Sequence, residues 1–288
     1  MHALTPRSAY GITWLGLGDV EELAPAVGSS FDGPPMTVTL GRAGADRPPD
    51  HPVDARRGCW ALRDGHVLAV DRATRTATFY GSPISSDQLA HPYLAAVATV
   101  VNRWAGREAF HAGAFVAADR AWVVRGVRTA GKSTLMASLA ARGHSVLSDD
   151  IAVTDGRNVF AGPRAVDLRS PPPAPVTTDL VRGGTRWRVR LAPAPARVPL
   201  AGWVFLEWGN QVRLHRLGQR ELLGRLAAGR SWTHLESDPR LLLALAGAPA
   251  WVLERPRRWE SHEPSIDVLT SAVTGAVAPR AALGVGAR

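Results

Sequence analysis

The sequence predicts an α/β fold in which a strand-rich N-terminal region precedes a core of alternating strands and helices. Three observations support this prediction. Short runs that alternate polar and apolar residues recur through residues 1–84. Between 85 and 278, strand-like runs alternate with longer helical segments. Within that second region, a glycine-rich turn at 126–131 joins an apolar run to a helical segment, and a frayed tail is expected at 279–288.

The composition is that of a globular protein. Hydrophobic residues make up 45% of the 288 residues and charged residues 20%, which excludes wholesale disorder and fibrous repeats. The one cysteine, Cys59, cannot form an internal disulfide and fits a reducing cytoplasm. The N-terminus lacks the features of a signal peptide. The longest apolar stretch, 241–253, contains Pro249 and is too short to cross a bilayer, so we expect a cytoplasmic protein without a membrane partner.

The net charge of +9 comes almost entirely from arginine, because 33 arginines stand beside a single lysine, Lys132. The arginines are spread along the chain and form no basic run, and isoleucine and asparagine are scarce as well, as a GC-rich genome would produce. We therefore do not expect a nucleic-acid partner. The same skew singles out Lys132 as a position at which arginine would not serve.

In the first region four strands are predicted, and one helix is predicted directly after it. The strands lie at 36–40, 59–62, 67–70 and 76–80. The turn at Asp64-Gly65 and the short spacing indicate that the last three strands form a meander. Ser85 or Ser86 can cap a helix that runs to Trp104, because apolar side chains recur on one of its faces.

In the second region, strands and helices are predicted along most of the chain. The strands lie at 114–117, 122–125, 145–148, 151–153, 186–191 and 250–254. Helices are expected from the glycine-rich turn to about Arg142 and at 218–228, 238–247 and 265–277. The runs 201–208 and 211–217 favour a hairpin across Gly209-Asn210.

The turn at 126–133 matches the phosphate-binding pattern G-x-x-x-x-G-K-[ST] in full, with an apolar strand before it and a helix after it. Its glycines let the backbone curl, so that N–H groups and the helix N-terminus face a phosphate chain. Lys132 is expected to reach the β- and γ-phosphates and Ser133 to bind Mg²⁺, which makes ATP and Mg²⁺ the expected cofactors. The predicted nucleotide-binding residues are Gly126, Val127, Arg128, Thr129, Ala130, Gly131, Lys132, Ser133 and Thr134.

Asp149 and Asp150 end the strand that follows this helix, where a carboxylate can hold Mg²⁺ or accept a proton. Neighbouring side chains on a strand face opposite ways, so the two aspartates are expected to differ in role and in pKa. The alternative is an ordinary surface turn. His111 precedes the strand pair that leads to the loop, and on its own it is more typical of a capping or core histidine than of a site.

Three segments, taken in order, resemble the core of HPr kinase/phosphorylase and its relatives. They are His111-Ala112-Gly113, the phosphate loop that begins at Gly126, and Ala141-Arg-Gly-His-Ser-Val-Leu-Ser-Asp-Asp150. The separation between Lys132 and Asp149 along the chain is also typical of that family. The resemblance covers about 110–155 and implies the P-loop fold shared with PEP carboxykinase. It implies phosphoryl transfer to a serine hydroxyl, with Asp149 or Asp150 as the base and His111 near the reacting phosphate.

The chain departs from that family downstream, where 162–169 stands in place of an E-I-R-G-L-G-type signature. By this correspondence Asp167 becomes a third candidate metal ligand beside Ser133 and Asp150, and Arg164 and Arg169 become candidate phosphate contacts. The region 1–84 does not resemble the family's regulatory domain, which argues against HPr as the substrate. The chain looks more like stand-alone relatives such as lasso peptide kinases, which phosphorylate a serine of a ribosomal precursor peptide.

Arg186, Arg188 and Arg190 alternate with apolar residues in a strand that lies between two proline-rich segments, 170–178 and 192–199. The alternation places three guanidinium groups on one face, which costs stability unless an anion or acidic side chains lie between them. One interpretation is a solvated edge strand. The other is a mobile ribbon that binds the γ-phosphate or a carboxylate of the acceptor. The sequence leaves both open.

Together these observations favour an ATP- and Mg²⁺-dependent serine kinase that acts on a peptide or a small hydroxyl-bearing acceptor. Two alternatives stay open: an NTP-binding regulator that uses the nucleotide as a switch, and an HPr-type protein kinase/phosphorylase. The aspartate pair separates the first alternative from the kinase, because a switch needs one Mg²⁺-linked acid and a kinase also needs a base. Neither the acceptor nor the oligomeric state is specified by the sequence.

Overall fold

The fold is mixed α/β and contains several sheets, which agrees with the α/β class predicted from the sequence. The computed structural model describes residues 5–26, 35–41, 47–172 and 176–277. The predicted tail and residues 173–175 of the first proline-rich segment lie outside these ranges. No helix in the described ranges is long and apolar enough to cross a membrane.

The first sheet is built from the chain between Arg7 and Tyr80, and its described strands pair in the order β3-β1-β2-β4-β7-β6-β5. Their bounds are β1 Arg7–Ala9, β2 Ile12–Leu15, β3 Ala24–Pro25, β4 Met36–Gly41, β5 Arg57–Ala61, β6 Val67–Asp71 and β7 Thr76–Tyr80. Strands β5, β6 and β7 are antiparallel neighbours, which confirms the predicted meander. The short strands β1 to β3 were not predicted individually.

The predicted helix from Ser86 to Trp104 is interrupted at His91. It consists of α1 Ser86–Gln88, a π-helical turn Leu89–Tyr93 and α2 Leu94–Trp104. Pro92 lacks an N–H group and disfavours helical geometry in the residue before it, and His91 is accordingly extended, with φ −157° and ψ 121°. His91 thereby lines the cavity described below.

The helix α2 packs against the N-terminal sheet in a core that extends beyond it. Leu68 and Phe79 of the first sheet, Val97 of α2, and Val153 and Phe160 of later strands belong to one buried apolar cluster. The predicted boundary between residues 84 and 85 therefore does not separate two hydrophobic cores.

The remaining described strands form a central sheet and a small three-stranded sheet with the order β13-β15-β14. Their bounds are β8 Glu108–Ala117, β9 Arg120–Gly126, β10 Val146–Ser148, β11 Ile151–Thr154, β12 Asn158–Phe160, β13 Ala165–Leu168, β14 Asp179–Val181, β15 Arg186–Arg190, β16 Arg197–Trp208, β17 Arg213–Arg216 and β18 Ala250–Arg255. The helices, close to their predicted positions, are α3 Lys132–Ala141, α4 Gln219–Ala228, α5 Pro239–Ala246 and α6 His262–Val277.

Two features of the central sheet position the site. Strands β9, β16 and β18 run parallel, with β16 in the middle, so their carboxyl ends meet at one edge of the sheet. Strand β8 lies antiparallel on the other side of β9. Strands β10 and β11 pair with successive parts of β8. They therefore lie end to end beside it, and Asp149 and Asp150 form the break between them.

The predicted hairpin between 201–208 and 211–217 is wrong, because β18 lies between the two strands. Strand β16 pairs with β18 in parallel, and β17 pairs antiparallel with the other edge of β18. Val252 and Leu253 of β18 are 1% and 0% exposed, so this apolar strand needs neighbours on both sides. Strand β17 carries the exposed Arg213 and Arg216 and suits the edge of the sheet.

Candidate functional site

A cavity of about 650 Å³ opens at the edge of the central sheet where β9, β16 and β18 end. It brings together the helix end of the glycine-rich loop, the aspartate pair and the histidine that the sequence singled out. The sequence-predicted residues that line it are His111, Arg128, Thr129, Gly131, Lys132, Ser133, Thr134, Asp149, Asp150, Asp167, Arg169 and Arg186.

The glycine-rich loop leaves β9 at Gly126 and enters α3 at Lys132. Thr129 and Gly131 adopt left-handed backbone conformations, with φ 70° and 82°. Glycine is favoured at 131, since a Cβ there would also lie 2.7 Å from Nη2 of Arg255 and would force that side chain to move. The N–H groups of the first turn of α3 have no intrahelical acceptors, and no described side chain caps the helix.

Lys132 lies at the centre of this loop and is 7% exposed. Its Nζ donates to the carbonyl oxygens of Gly126 at 2.9 Å and Val127 at 3.3 Å. Burial lowers the pKa of Lys132, and the nearby charges of Asp149 and Asp150 oppose that effect. The ammonium group of Lys132 is therefore held inside the loop and near the carboxyl groups of Asp149 and Asp150.

Asp149 occupies the break between β10 and β11 and is 5% exposed. Burial and, to a lesser degree, the charge of Asp150 raise the pKa of Asp149 to about 6, against the lowering effects of His91 and Ser133. Its Oδ1 has no hydrogen-bond partner among the described residues. A buried carboxyl group in this state can accept a proton near neutral pH.

The pKa of Asp150 is shifted in the opposite direction to that of Asp149. It takes a left-handed conformation with φ 73°, and its backbone carbonyl accepts a hydrogen bond from the N–H of Ala112 at 2.9 Å. His111 Nδ1 lies 2.9 Å from that carbonyl oxygen and 3.0 Å from Oδ1 of Asp150. Although burial raises the pKa of Asp150, the His111 hydrogen bond and the charges of His91 and Lys132 lower it to about 2. The two neighbouring carboxyl groups thus differ widely in pKa.

The alternating arginines do not form an open phosphate-binding face. Arg186 lines the cavity, whereas Arg188 is 1% exposed and does not. Its Nε and Nη2 donate to the two oxygens of Asp167 at 2.7 and 2.9 Å, and its Nη1 donates to Glu22 at 2.7 Å. Acidic side chains therefore separate the like charges, and Arg188 lies in a buried ion-pair cluster, while its contact with the acceptor stays a prediction.

Arg164 and Arg190 are not among the described residues that line the cavity, so their contact with the phosphate or the acceptor also stays a prediction. Arg190 pairs with Asp179 at 2.7 Å and with Glu21 at 3.2 Å. Arg164 donates to the backbone carbonyl of Glu21 at 2.7 Å. Both guanidinium groups thus contact Glu21 of the N-terminal region.

Asp167 lines the cavity, but its role changes because of Arg188. Both of its carboxylate oxygens accept hydrogen bonds from that guanidinium. Its negative charge is therefore already compensated, which leaves Ser133 and Asp150 as the better candidates to hold a cation.

Several cavity residues escaped the sequence analysis. They are His91, Arg182, Trp208, Arg255, Pro256, Arg257, Arg258, Trp259 and His262. Arg255 is 3% exposed, and its Nη2 donates to the loop carbonyls of Ala130 at 2.9 Å and Gly131 at 3.4 Å. Burial lowers the pKa of Arg255 to about 10. The run Arg255-Pro-Arg-Arg258, directly after a predicted strand, was the one available signal.

The donor set fits a magnesium nucleotide. No cluster of three histidine, cysteine or acidic side chains in the described part of the chain forms an all-protein metal site. Mg²⁺ typically uses one or two carboxylates together with substrate phosphates, and Ser133 and Asp150 offer such a set beside the unpartnered Oδ1 of Asp149. The basic residues that line the cavity suit a phosphate chain; they are Arg128, Lys132, Arg169, Arg182, Arg186, Arg255, Arg257 and Arg258.

Comparison with known proteins gives little further information. No protein-family model matches the chain. No curated protein sequence matches it either. Among solved structures, the chain is similar to the HPr(Ser) kinase/phosphatase from Coxiella burnetii, with 11% sequence identity and a TM-score of 0.28 over 59% of this chain and 93% of that one. Similarity at this level carries no argument, so the function has to be inferred from the residues of the cavity.

Proposed function

We propose that the chain is an ATP- and Mg²⁺-dependent kinase that transfers the γ-phosphoryl group to a serine hydroxyl of a peptide or a small acceptor. The observation that supports this is a phosphate loop facing two aspartates of opposite character across one cavity. A nucleotide switch needs the loop and one Mg²⁺-linked acid. The second, buried acid with a raised pKa is the additional group that phosphoryl transfer requires.

The phosphates would be bound by Lys132 and by the N–H groups of the first turn of α3. Ser133 and the ionised Asp150 would hold Mg²⁺, which when bound neutralises charge on the phosphate oxygens. His111 orients Asp150 by bonding both its backbone carbonyl and its carboxylate. Most of the rate enhancement would come from positioning and electrostatics, as is usual for phosphoryl transfer.

Asp149 is the proposed general base. Its carboxylate, which lines the cavity, accepts the proton of the acceptor hydroxyl while the hydroxyl oxygen bonds to the γ-phosphorus. The bond between that phosphorus and the bridging oxygen of ADP breaks in the same step. The products are a phosphoserine, ADP and a proton held by Asp149.

Arg169 and Arg186 are the proposed acceptor contacts, with Arg182 beside them in the cavity wall. Three guanidinium groups on this wall favour an acceptor that carries a carboxylate, because arginine binds carboxylates in a bidentate manner. A peptide with a carboxylate near its serine, such as a ribosomal precursor peptide, fits this chemistry.

The test is mass spectrometry of a panel of serine peptides and small hydroxy acids incubated with the protein, ATP and Mg²⁺. We expect the gain of one phosphate on at least one acceptor, and no gain on the same peptide with alanine in place of serine. Asp149→Asn should bind ATP but transfer no phosphate. Tight ATP binding without phosphate on any acceptor would favour the nucleotide switch.

A further inference from the structure

The cavity has a second wall that the phosphoryl-transfer residues do not use. Strands β16 and β18 end there side by side, with Trp208 paired to Arg255 in the register. The segment after β18 continues along the same wall to Trp259. Ligands of parallel sheets commonly bind across the carboxyl ends of the strands, which is the location of this wall.

The direction of the phosphate chain follows from the strand order. Strand β8, with His111, and the break at Asp149-Asp150 lie on one side of β9. Strand β16 and then β18 lie on its other side. In-line transfer places the attacking and the leaving oxygen on opposite sides of the phosphorus. If the acceptor approaches from Asp149, the nucleoside leaves toward β16 and β18.

The chemistry of this wall suits a planar aromatic group. Trp208 is 39% exposed although it lines the cavity. The guanidinium carbons of Arg255 and Arg257 lie 5.5 and 5.8 Å from its ring centroid. Cη2 of Trp208 lies 3.9 Å from the place of a Cβ on Gly131, so the indole borders the phosphate loop directly. Trp259, 59% exposed, lies on the same wall.

We propose that Trp208 binds the nucleobase of the phosphate donor by stacking, with Arg257 and Trp259 beside it. This inference rests on the proposed function, because it assigns the nucleoside end of the same donor. A base stacked on an aromatic side chain gains affinity from its flat face. Trp208 therefore contributes affinity for the nucleobase and does not contribute to the binding of the phosphates.

The test compares two probes, Mg²⁺·ATP and Mg²⁺·tripolyphosphate, by isothermal titration calorimetry. Trp208→Ala should weaken ATP binding by at least about tenfold and leave tripolyphosphate binding unchanged. Trp208→Phe, which keeps an aromatic face, should retain most of the affinity for ATP. The matched control is Trp251→Ala, because Trp251 also has an arginine over its ring, Arg216 at 4.6 Å, but is not among the described residues that line the cavity.

If Trp208→Ala loses affinity equally for both probes, or for neither, the stacking role is overturned while the proposed function stands. If the wild-type protein binds neither probe, the proposed function itself fails. Photolabelling of the wild-type protein with 8-azido-ATP gives an answer that does not depend on the folding of a variant. The label should lie on peptides that contain Trp208 or Trp259, and a label confined to peptides with His91 or Asp150 contradicts the proposal.

Discussion

Replacement of Asp149 by asparagine should stabilise the protein while stopping phosphoryl transfer. The carboxyl group is 5% exposed, and burial raises its pKa from 3.8 to about 6. Asp149 therefore binds its proton more tightly in the folded protein than in the unfolded chain. Its ionisation consequently lowers the free energy of unfolding. At about 1.36 kcal/mol per pH unit, this cost reaches about 3 kcal/mol above pH 6, as an upper bound.

The pH dependence has a definite sign. The stabilisation that the neutral Asp149 provides is complete below about pH 4 and is lost as the pH rises through about 6. Asparagine is neutral at every pH. The variant should therefore match the wild type near pH 4 and exceed its unfolding free energy at pH 8 by up to about 3 kcal/mol.

Urea unfolding at pH 4 and pH 8, without nucleotide, measures this difference, and Asp150→Asn is the control with opposite sign. The pKa of Asp150 is lowered to about 2, so its ionised form stabilises the fold above its ordinary pKa and the variant should lose stability at pH 8. Transfer by Asp149→Asn should fall by about 10²–10⁴-fold. If Asp149→Asn is less stable than the wild type at pH 8, the pKa of Asp149 is not raised in the folded protein.

Three further outcomes are expected. Lys132→Arg should abolish transfer while the protein still unfolds cooperatively in a thermal melt, because a guanidinium does not fit the loop; wild-type turnover would contradict this. Arg188→Met should lower the urea-derived unfolding free energy by about 3–5 kcal/mol, because it removes the guanidinium that bonds two buried carboxylates and leaves Asp167 only the longer ion pair with Arg182, whereas the exposed Arg190→Ala should cost less than about 1 kcal/mol; equal costs would refute the argument. Gly131→Ala should weaken ATP binding at least about tenfold in calorimetry, since its Cβ would displace Arg255 and its φ of 82° disfavours alanine; unchanged affinity would show that the loop does not depend on this conformation.

The parts of the site that the sequence predicts are local. The run from Gly126 to Ser133 carries its own strand, turn and helix start, so its geometry depends little on distant residues. Asp149 and Asp150 follow directly after the next strand, β10, and a difference between them was expected from their adjacency. The periodicity of 201–217 indicated the strands but not their order, because the insertion of β18 between β16 and β17 is decided by tertiary packing.

The parts that the sequence does not predict depend on residues far apart in the chain. The alternation of Arg186, Arg188 and Arg190 indicated a shared face, but the acid that binds Arg188 from the N-terminal region, Glu22, lies 166 residues away. His91 enters the cavity only because Pro92 interrupts its helix. Neither effect leaves a local pattern that could be recognised without the fold.

The burial of Lys132 also determines how this protein reacts with chemical probes. It is the one lysine in the sequence, so it is the one side-chain amine, and the other basic side chains carry guanidinium or imidazole groups. Because burial lowers its pKa, a larger share of this amine is unprotonated and nucleophilic than in an exposed lysine. Acylating reagents aimed at amines therefore modify, apart from the chain terminus, a single atom in the middle of the phosphate loop. The extent of that acylation reports directly on whether the loop is filled.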